Sequence, residues 1–267
     1  MTDDESGWAL VLGPGGPVGT AWLIGLAAGL REAGVDPAAA GLVVGTSAGA
    51  IAGAAITTGR DLAALEELPP RGGPPAPADG SVMARVFEVG SAPGLEPDEA
   101  RRRIGRLALE ADALPAERHH ASMRYLVGTD TWPDARLLIT GMDAASGEPV
   151  LWDASSGVPL SLAVAASSAA PGFAEPVPIG GRRYMDGAFA GWSEAELARG
   201  AGPLVAVEPM PHMRGGGGLR IVPDARALEA FGPSLGDRSR WTPVYREGLR
   251  QAPEAAERIT AALAAHR

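Results

Sequence analysis

The sequence predicts an α/β protein with a mainly parallel sheet. Two short apolar runs, residues 8–12 and 42–44, have the composition of buried strands. Each run is followed by a glycine-containing turn and then by a helical pattern, over residues 20–34 and from Ser47 to about Thr58. Strands that alternate with helices in this way pair in parallel through right-handed crossovers.

The 267 residues are enough for one large globular domain or two small ones, and we expect a single domain over residues 1–267. The chain is 46% hydrophobic and 21% charged, which is ordinary for a globular protein. It has no cysteine, so disulfides, thiolate metal sites and cysteine nucleophiles are excluded. The net charge of −9 argues against a nucleic-acid partner and against electrostatic attraction to anionic membranes. Nothing in the sequence predicts the oligomeric state.

We expect a cytoplasmic protein without a metal or cofactor. Residues 1–5 are acidic and lack the basic region of a signal peptide. No apolar run reaches the roughly 18 residues that a membrane-spanning helix needs without a polar interruption. The chain has only four histidines, and none has the H-E-x-x-H spacing of a zinc site.

The amino-acid composition changes in the middle of the chain. Residues 68–97 are rich in proline and glycine, which predicts an insertion without long helices and favours a passive surface loop over an active-site lid. Residues 98–113 look helical, and the arginines on this helix, Arg101, Arg102, Arg103 and Arg106, are interpreted as a solvated basic face.

Further elements follow in order. A strand over residues 136–142 is expected to pair with 149–152, and a small-residue helix runs over 160–169. Residues 177–179 and 182–185, joined by Gly180-Gly181, predict a tight hairpin that ends at Asp186. A buried strand over 203–208 precedes C-terminal helices within residues 223–263, namely 223–230 and a longer helix from about 240.

The segment Gly45-Thr46-Ser47-Ala48-Gly49 matches the G-x-S-x-G nucleophile elbow in its strand–turn–helix context. Gly45 and Gly49 would let the strand and helix backbones pass closely. Ser47 would stand at a helix N-terminus, where free N–H groups favour negative charge. The alternative is a chance match in a chain with 37 glycines.

The loop from Gly13 to Gly19 is the candidate oxyanion hole. The N–H groups of Gly15 and Gly16 can point into a shared concavity, and the loop would lie beside Ser47 if both parallel strands end at one edge of the sheet. A dinucleotide-binding fingerprint is the rival interpretation. It fits poorly, because Val18 holds the third glycine position and the second strand lacks a following acidic residue.

Asp186, followed by Gly187, is the candidate base for a serine nucleophile. A carboxylate is a weak base, so burial or a strong hydrogen bond to the serine is required. The alternative for Asp186 is a turn cap. A competing triad of Ser47, Asp186 and His212 has the chain order of α/β-hydrolases. Against it, the elbow comes early and the surroundings of His212 look exposed.

These motifs together resemble the patatin-like phospholipases. The resemblance rests on the glycine loop, the Gly-Thr-Ser-Ala-Gly elbow, the segment from Ala165 to Phe173 and the Asp186-Gly187-Ala188 motif, and it covers roughly residues 8–210. It implies a three-layer α/β/α fold, a Ser47–Asp186 dyad, and oxyanion donors at Gly15 and Gly16. The N–H of Ala48 is a further candidate donor. The resemblance also implies no metal and no catalytic histidine.

The sequence departs from the family pattern in the glycine loop. Pro14 replaces the first glycine of Gly-Gly-Gly-x-x-Gly, and Val18 replaces the basic residue before Gly19. The expected function is a serine acyl hydrolase that cleaves fatty acyl esters of lipids, with a lipid or ester substrate and transient contact at a membrane surface. The alternatives are the His212 triad esterase and a patatin-fold lipid-binding or regulatory protein with little turnover. His119 and His120 are expected to be solvated, and His266 to lie at a frayed terminus.

Overall fold

The structure is a computed structural model that describes residues 7–68, 80–198, 200–211 and 218–266. Its strands, in chain order, are β1 (Ala9–Leu12), β2 (Leu42–Gly45), β3 (Leu137–Asp143), β4 (Pro149–Trp152), β5 (Val177–Ile179), β6 (Arg182–Asp186), β7 (Leu204–Val207) and β8 (Leu219–Ile221). Its helices are α1 (Gly16–Glu32), α2 (Ala48–Thr57), α3 (Gly80–Gly90), α4 (Pro97–Glu110), α5 (Ala116–Val127), α6 (Leu160–Ser167), α7 (Glu194–Leu197), α8 (Ala225–Phe231) and α9 (Trp241–Ala264).

The chain divides into two compact units. The first comprises Met1–Pro69, Pro133–Leu138 and Ser193–Arg267, and the second comprises Pro70–Trp132 and Ile139–Trp192. Strand β3 begins in the first unit and continues in the second. That residues 1–267 form one domain stays a prediction.

The first unit has a parallel arrangement of strands. β1 pairs in parallel with β2 on one side and with β7 on the other, and β7 pairs in parallel with β8. At the carboxyl ends of these strands, Leu12 is in register with Gly45 and with Val207. All residues of β1 and β2 are buried, as expected for short apolar strands covered on both faces. The loops that follow β1 and β2 therefore leave the sheet at the same edge.

Helices α1 and α9 pack closely in the first unit. Helix α1 is apolar on most of its circumference, which is typical of a buried helix. A Cβ atom added to Gly25 would lie 2.0 Å from the carbonyl oxygen of Tyr245, and one added to Gly248 would lie 2.2 Å from that of Trp22. Only glycine permits this approach of the two helix backbones.

The second unit is antiparallel. β3 pairs with both β4 and β6, and β6 pairs with β5. Gly180 and Gly181 have φ values of 57° and 80°, the left-handed conformation that a two-residue hairpin turn requires, so the predicted hairpin is confirmed. The eight strands form a mixed sheet that is flanked by helices, which confirms the predicted three-layer α/β/α class with its parallel β1–β2 start.

Helix α3 corrects the interpretation of residues 68–97 as a stretch without long helices. Residues 69–79 lie outside the described residues, but residues 80–90 form three helical turns. Val82 and Val86, four residues apart, are buried in one hydrophobic cluster with Ile104 and Leu107 of α4. Proline is absent between residues 80 and 92, so the prolines flank this helix and do not interrupt it.

The arginines of α4 are held by carboxylates on the same helix. Arg102, Arg103 and Arg106 all form ion pairs with Glu99, and Arg101 forms one with Asp98. The side-chain hydrogen bond from Arg103, followed by that from Arg102, lowers the pKa of Glu99. These local pairs fit the interpretation of a solvated basic face.

Candidate active site

Ser47 lies in the first unit, in the sharp turn between β2 and α2. Its φ and ψ are 54° and −113°, and it is the one non-glycine residue with positive φ among the residues that the structure describes. A side chain in this region is strained, and such strain persists where surrounding structure enforces it. The residue is 6% exposed. Strand, strained serine and helix together have the geometry of a nucleophile elbow.

Gly45 and Gly49 are sterically required on either side of Ser47. A Cβ atom on Gly45 would lie 2.6 Å from the Cα of Ala50, and one on Gly49 would lie 1.9 Å from the carbonyl oxygen of Leu12. Both distances are far below van der Waals contact, and both clashes are with backbone atoms. The sequence expectation for these two glycines is therefore explained by the packing of α2 against β1 and β2.

The glycine loop lies beside the elbow. The N–H of Thr46 donates to the carbonyl of Leu12 at 3.1 Å, and a Cβ on Gly19 would lie 3.8 Å from the Cβ of Ala48. A Cβ on Gly15 would lie 2.6 Å from Pro209, and one on Gly19 would lie 2.9 Å from it. A Cβ on Gly13 would make only ordinary contacts, the nearest at 3.5 Å. Within the first unit, then, the predicted loop and elbow are neighbours.

Two helices begin in this region, and the backbone N–H groups of their first residues lie there. Gly16 and Ala48 are the first residues of α1 and α2, and the N–H of a first helical residue has no acceptor within its helix. The sequence interpretation began the first helix near residue 20. The structure starts it at Gly16, because proline at position 17 suits the first turn of a helix. The positive ends of both helix dipoles favour an anion there.

Val18 is part of the core of the first unit. Its side chain is fully buried, and its N–H donates to the carbonyl of Leu235 at 3.3 Å. An apolar residue therefore suits the position that holds a basic residue in the family pattern.

Asp186 lies in the second unit, at the end of β6. Its side chain is 3% exposed, and one carboxylate oxygen accepts the N–H of Ala188 at 2.9 Å. Its own N–H donates to the carbonyl of Ala169 at 3.1 Å. A Cβ on Gly187 would lie 2.1 Å from Oγ1 of Thr140, so glycine is required after the aspartate. The Ala188 hydrogen bond agrees with a turn cap.

Ser47, Ala48 and the loop glycines thus belong to the first unit, whereas Asp186 and Gly187 belong to the second. The pairing of Ser47 with Asp186 stays a prediction.

A sequence model of the patatin-like phospholipases matches residues 10–193, which include the glycine loop, the elbow and the Asp186-Gly187 motif. The chain belongs to this family. No curated protein sequence matches it. Among solved structures, VipD from Legionella pneumophila is similar over 98% of this chain and 67% of its own, with 14% identity and a TM-score of 0.48. The type III effector ExoU is similar over 93% of this chain and 53% of its own, with 16% identity and a TM-score of 0.36.

Membership of the patatin-like phospholipase family supports lipid acyl hydrolase activity in general terms. In the part of the chain that the structure describes, no cluster of histidine and acidic side chains could hold a metal ion. Within the same residues, the helices are too short or too polar to cross a membrane.

The histidines correct one sequence expectation. His119 is buried, not solvated, and its Nε2 lies 3.1 Å from the carbonyl oxygen of Ala165. His120 is partly buried and contacts Ser161. His266 is exposed near the end of α9, as expected, and His212 lies outside the described residues. The spacing of Ala116, His119, Met123 and Leu126, all buried on one face of α5, is the signal that could have revealed His119.

Burial of His119 makes stability depend on pH in a defined range. Loss of hydration lowers its pKa from 6.5 to about 4, only partly offset by the Ala165 hydrogen bond. Between pH 6.5 and 4, His119 is therefore protonated in the unfolded chain and neutral in the folded chain. We expect the free energy of unfolding to fall by about 3 kcal/mol as the pH is lowered through this range. Denaturant unfolding at several pH values measures it.

His119→Gln, which does not titrate, is the control for this slope. The pKa of His120 is also lowered by burial and adds a loss of the same sign. Carboxylates with lowered pKa, among them Glu99, Asp143 and Asp224, begin to lose stabilising charge as the pH falls to their ordinary values of about 4 to 4.5. Both proteins carry these carboxylates, so their contribution cancels when wild type and His119→Gln are compared. Equal slopes for wild type and His119→Gln between pH 4 and 6.5 would contradict the prediction.

Proposed function

We propose that this chain is a serine acyl hydrolase that cleaves fatty acyl esters of lipids, of the phospholipase A, lysophospholipase or esterase type. Ser47 is the nucleophile and Asp186 is its base. The observation that carries the proposal is the strained conformation of Ser47 between β2 and α2, with glycines that packing requires on either side. A serine held in this way presents its hydroxyl at a helix N-terminus.

In the first half of the reaction, Oγ of Ser47 forms a bond to the ester carbonyl carbon, and its proton passes to the carboxylate of Asp186. The negative oxygen is stabilised by N–H groups of Gly15, Gly16 and Ala48. Preorganised donors of this kind are each worth about 10²- to 10³-fold in rate. The carbon–oxygen bond to the alcohol then breaks, the alcohol takes the proton, and an acyl ester on Ser47 remains.

In the second half, Asp186 takes a proton from water as the water oxygen attacks the acyl carbon. The bond to Oγ of Ser47 breaks, the serine recovers a proton, and a fatty acid leaves. Esters suit this pair better than amides, because the amine leaving group of an amide needs a good proton donor, whereas the alcohol leaving group of an ester is easier to expel.

The proposal includes transient contact with a membrane surface. The second unit exposes large apolar side chains, among them Phe87, Leu151, Phe173 and Trp192, and the exposed fraction of Phe87 is 65%. Aromatic side chains at a surface suit the boundary between water and lipid.

Labelling with a fluorophosphonate tests the nucleophile without a choice of substrate. We expect one covalent adduct, located by peptide mass spectrometry at Ser47 in the wild type and absent in Ser47→Ala. Ser155→Ala, which removes an exposed serine bound to Asp153, is the matched control and should label as the wild type does. A folded wild type without an adduct would overturn the hydrolase and favour the lipid-binding alternative.

A further inference from the structure

Two consecutive histidines of α5 contact opposite ends of α6, all within the second unit. Nε2 of His120 lies 2.8 Å from Oγ of Ser161, near the start of α6. Nε2 of His119 lies 3.1 Å from the carbonyl oxygen of Ala165 and 3.1 Å from Oγ of Ser168, the residue that caps the other end. The two imidazoles therefore fix α6 at both ends.

The direction of the His119 hydrogen bonds follows from its partners. The carbonyl of Ala165 can only accept, and the hydroxyl of Ser168 donates to the carbonyl of Val164 at 2.8 Å. Nε2 of His119 must therefore carry the hydrogen and donate to both oxygens. Burial keeps the ring neutral at pH 7, so this tautomer can persist without a counter-charge.

The end of α6 that His119 contacts is connected to Asp186 by a backbone hydrogen bond. Ala169 follows Ser168, and its carbonyl accepts the N–H of Asp186 at 3.1 Å. The N–H of Ala169 in turn donates to Ala166, inside α6. The main chain of Asp186 is thus bound to Ala169, the residue directly after the C-cap of the helix that His119 fixes.

We infer that His119 is a positioning residue for Asp186, which it holds through the C-terminal turn of α6. This inference rests on the proposed role of Asp186 as the base for Ser47. His119 does not contact the carboxylate, and no proton passes through it. Its role is to keep the carbonyl of Ala169 where it fixes the backbone of the aspartate, because a displacement of about 1 Å can cost up to about 10²-fold in rate.

Two substitutions at the same position separate positioning from packing. His119→Leu keeps an apolar body of similar size and removes the donor, whereas His119→Gln retains an N–H group that can reach the same oxygens. His120→Leu is the matched control, since it removes the neighbouring imidazole from the other end of α6. Each variant is assayed for kcat and KM on a p-nitrophenyl fatty acyl ester, for thermal unfolding, and for hydrogen exchange of the Asp186 amide.

We expect His119→Leu to lower kcat about tenfold or more, with KM within twofold of wild type, and to speed exchange of the Asp186 amide by at least tenfold. His119→Gln should recover most of both. His120→Leu should lower the melting temperature and leave kcat and Asp186 exchange unchanged. If folded His119→Leu lowers the melting temperature but leaves kcat or Asp186 exchange at the wild-type value, the inference is wrong.

If His119→Leu does not fold, Ser168→Ala tests the same contact by removing one acceptor of the imidazole N–H. A smaller loss of kcat with faster Asp186 exchange would support the inference, and wild-type values of both would overturn it. Failure of the proposed function appears elsewhere, as a wild type without a Ser47 adduct. In that case the exchange of Asp186 in His119→Leu and His119→Gln still decides whether His119 supports this residue.

Discussion

Asp186→Asn is expected to lower kcat about 10³-fold on a fatty acyl ester while the protein stays folded. Asparagine preserves the shape of the side chain and an oxygen that can accept the N–H of Ala188, so the turn after β6 should survive. It has no basic oxygen to accept the proton of Ser47, and loss of a general base costs about 10²- to 10⁴-fold. Steady-state kinetics and circular dichroism on the purified variant measure both halves of the prediction.

Asp143→Asn is the matched control for the loss of a buried carboxylate in the second unit. Asp143 accepts the N–H groups of Ala145 and Ser146 at 2.9 Å, and Arg182 pairs with it. We expect this variant to be less stable, since asparagine weakens charge-assisted hydrogen bonds, but to keep kcat within threefold. An Asp186→Asn enzyme with a tenth or more of wild-type kcat would show that another group removes the proton.

His212→Ala distinguishes the dyad from the triad that the sequence left open. In the dyad, the variant keeps full activity and full fluorophosphonate labelling. In the triad, removal of the general base lowers kcat by orders of magnitude, as it does in serine hydrolases with a catalytic histidine.

The elbow could be predicted from the sequence because its determinants are local. An apolar run, a serine between two glycines and an apolar helix specify a tight strand-to-helix turn. The parallel register of β1 and β2 then brings the glycine loop to the same sheet edge. The hairpin of β5 and β6 was equally predictable, because Gly180-Gly181 supplies the two left-handed residues of its turn.

Other features depend on contacts between distant segments and were not predicted. Helix α3 follows a proline-rich stretch of sequence, which obscures its helical pattern. The burial of Val82 and Val86 depends on their packing against α4. His119 looked solvated because α5 is rich in polar residues, but the face that carries it packs on α6. Strand β8 has three residues, too few to show a period, and is defined by its pairing with β7.

Gly49→Ala is expected to destabilise the protein by more than about 4 kcal/mol or to prevent folding. The new Cβ would lie 1.9 Å from the carbonyl oxygen of Leu12 and 2.3 Å from its carbon, so backbone and not a flexible side chain must move. Such a shift would separate α2 from β1 and disturb the hydrogen bond from Thr46 to Leu12. Costs this large arise when overpacking forces backbone displacement. Denaturant unfolding followed by circular dichroism measures the loss.

Gly53→Ala, one turn further along the same helix, is the matched control. Its Cβ would meet only side-chain carbons, of Val43 at 3.3 Å, of Leu12 at 3.4 Å and of Leu137 at 3.6 Å, and these can yield by a few tenths of an ångström. Alanine is also favoured over glycine inside a helix by about 1 kcal/mol, which offsets the tighter contacts. We therefore expect its stability to stay within about 1 kcal/mol of wild type. Equal stabilities of the two variants would mean that α2 can move away from β1 without cost. The close contact between Gly49 and Leu12 would then not be what holds Ser47 in its strained conformation.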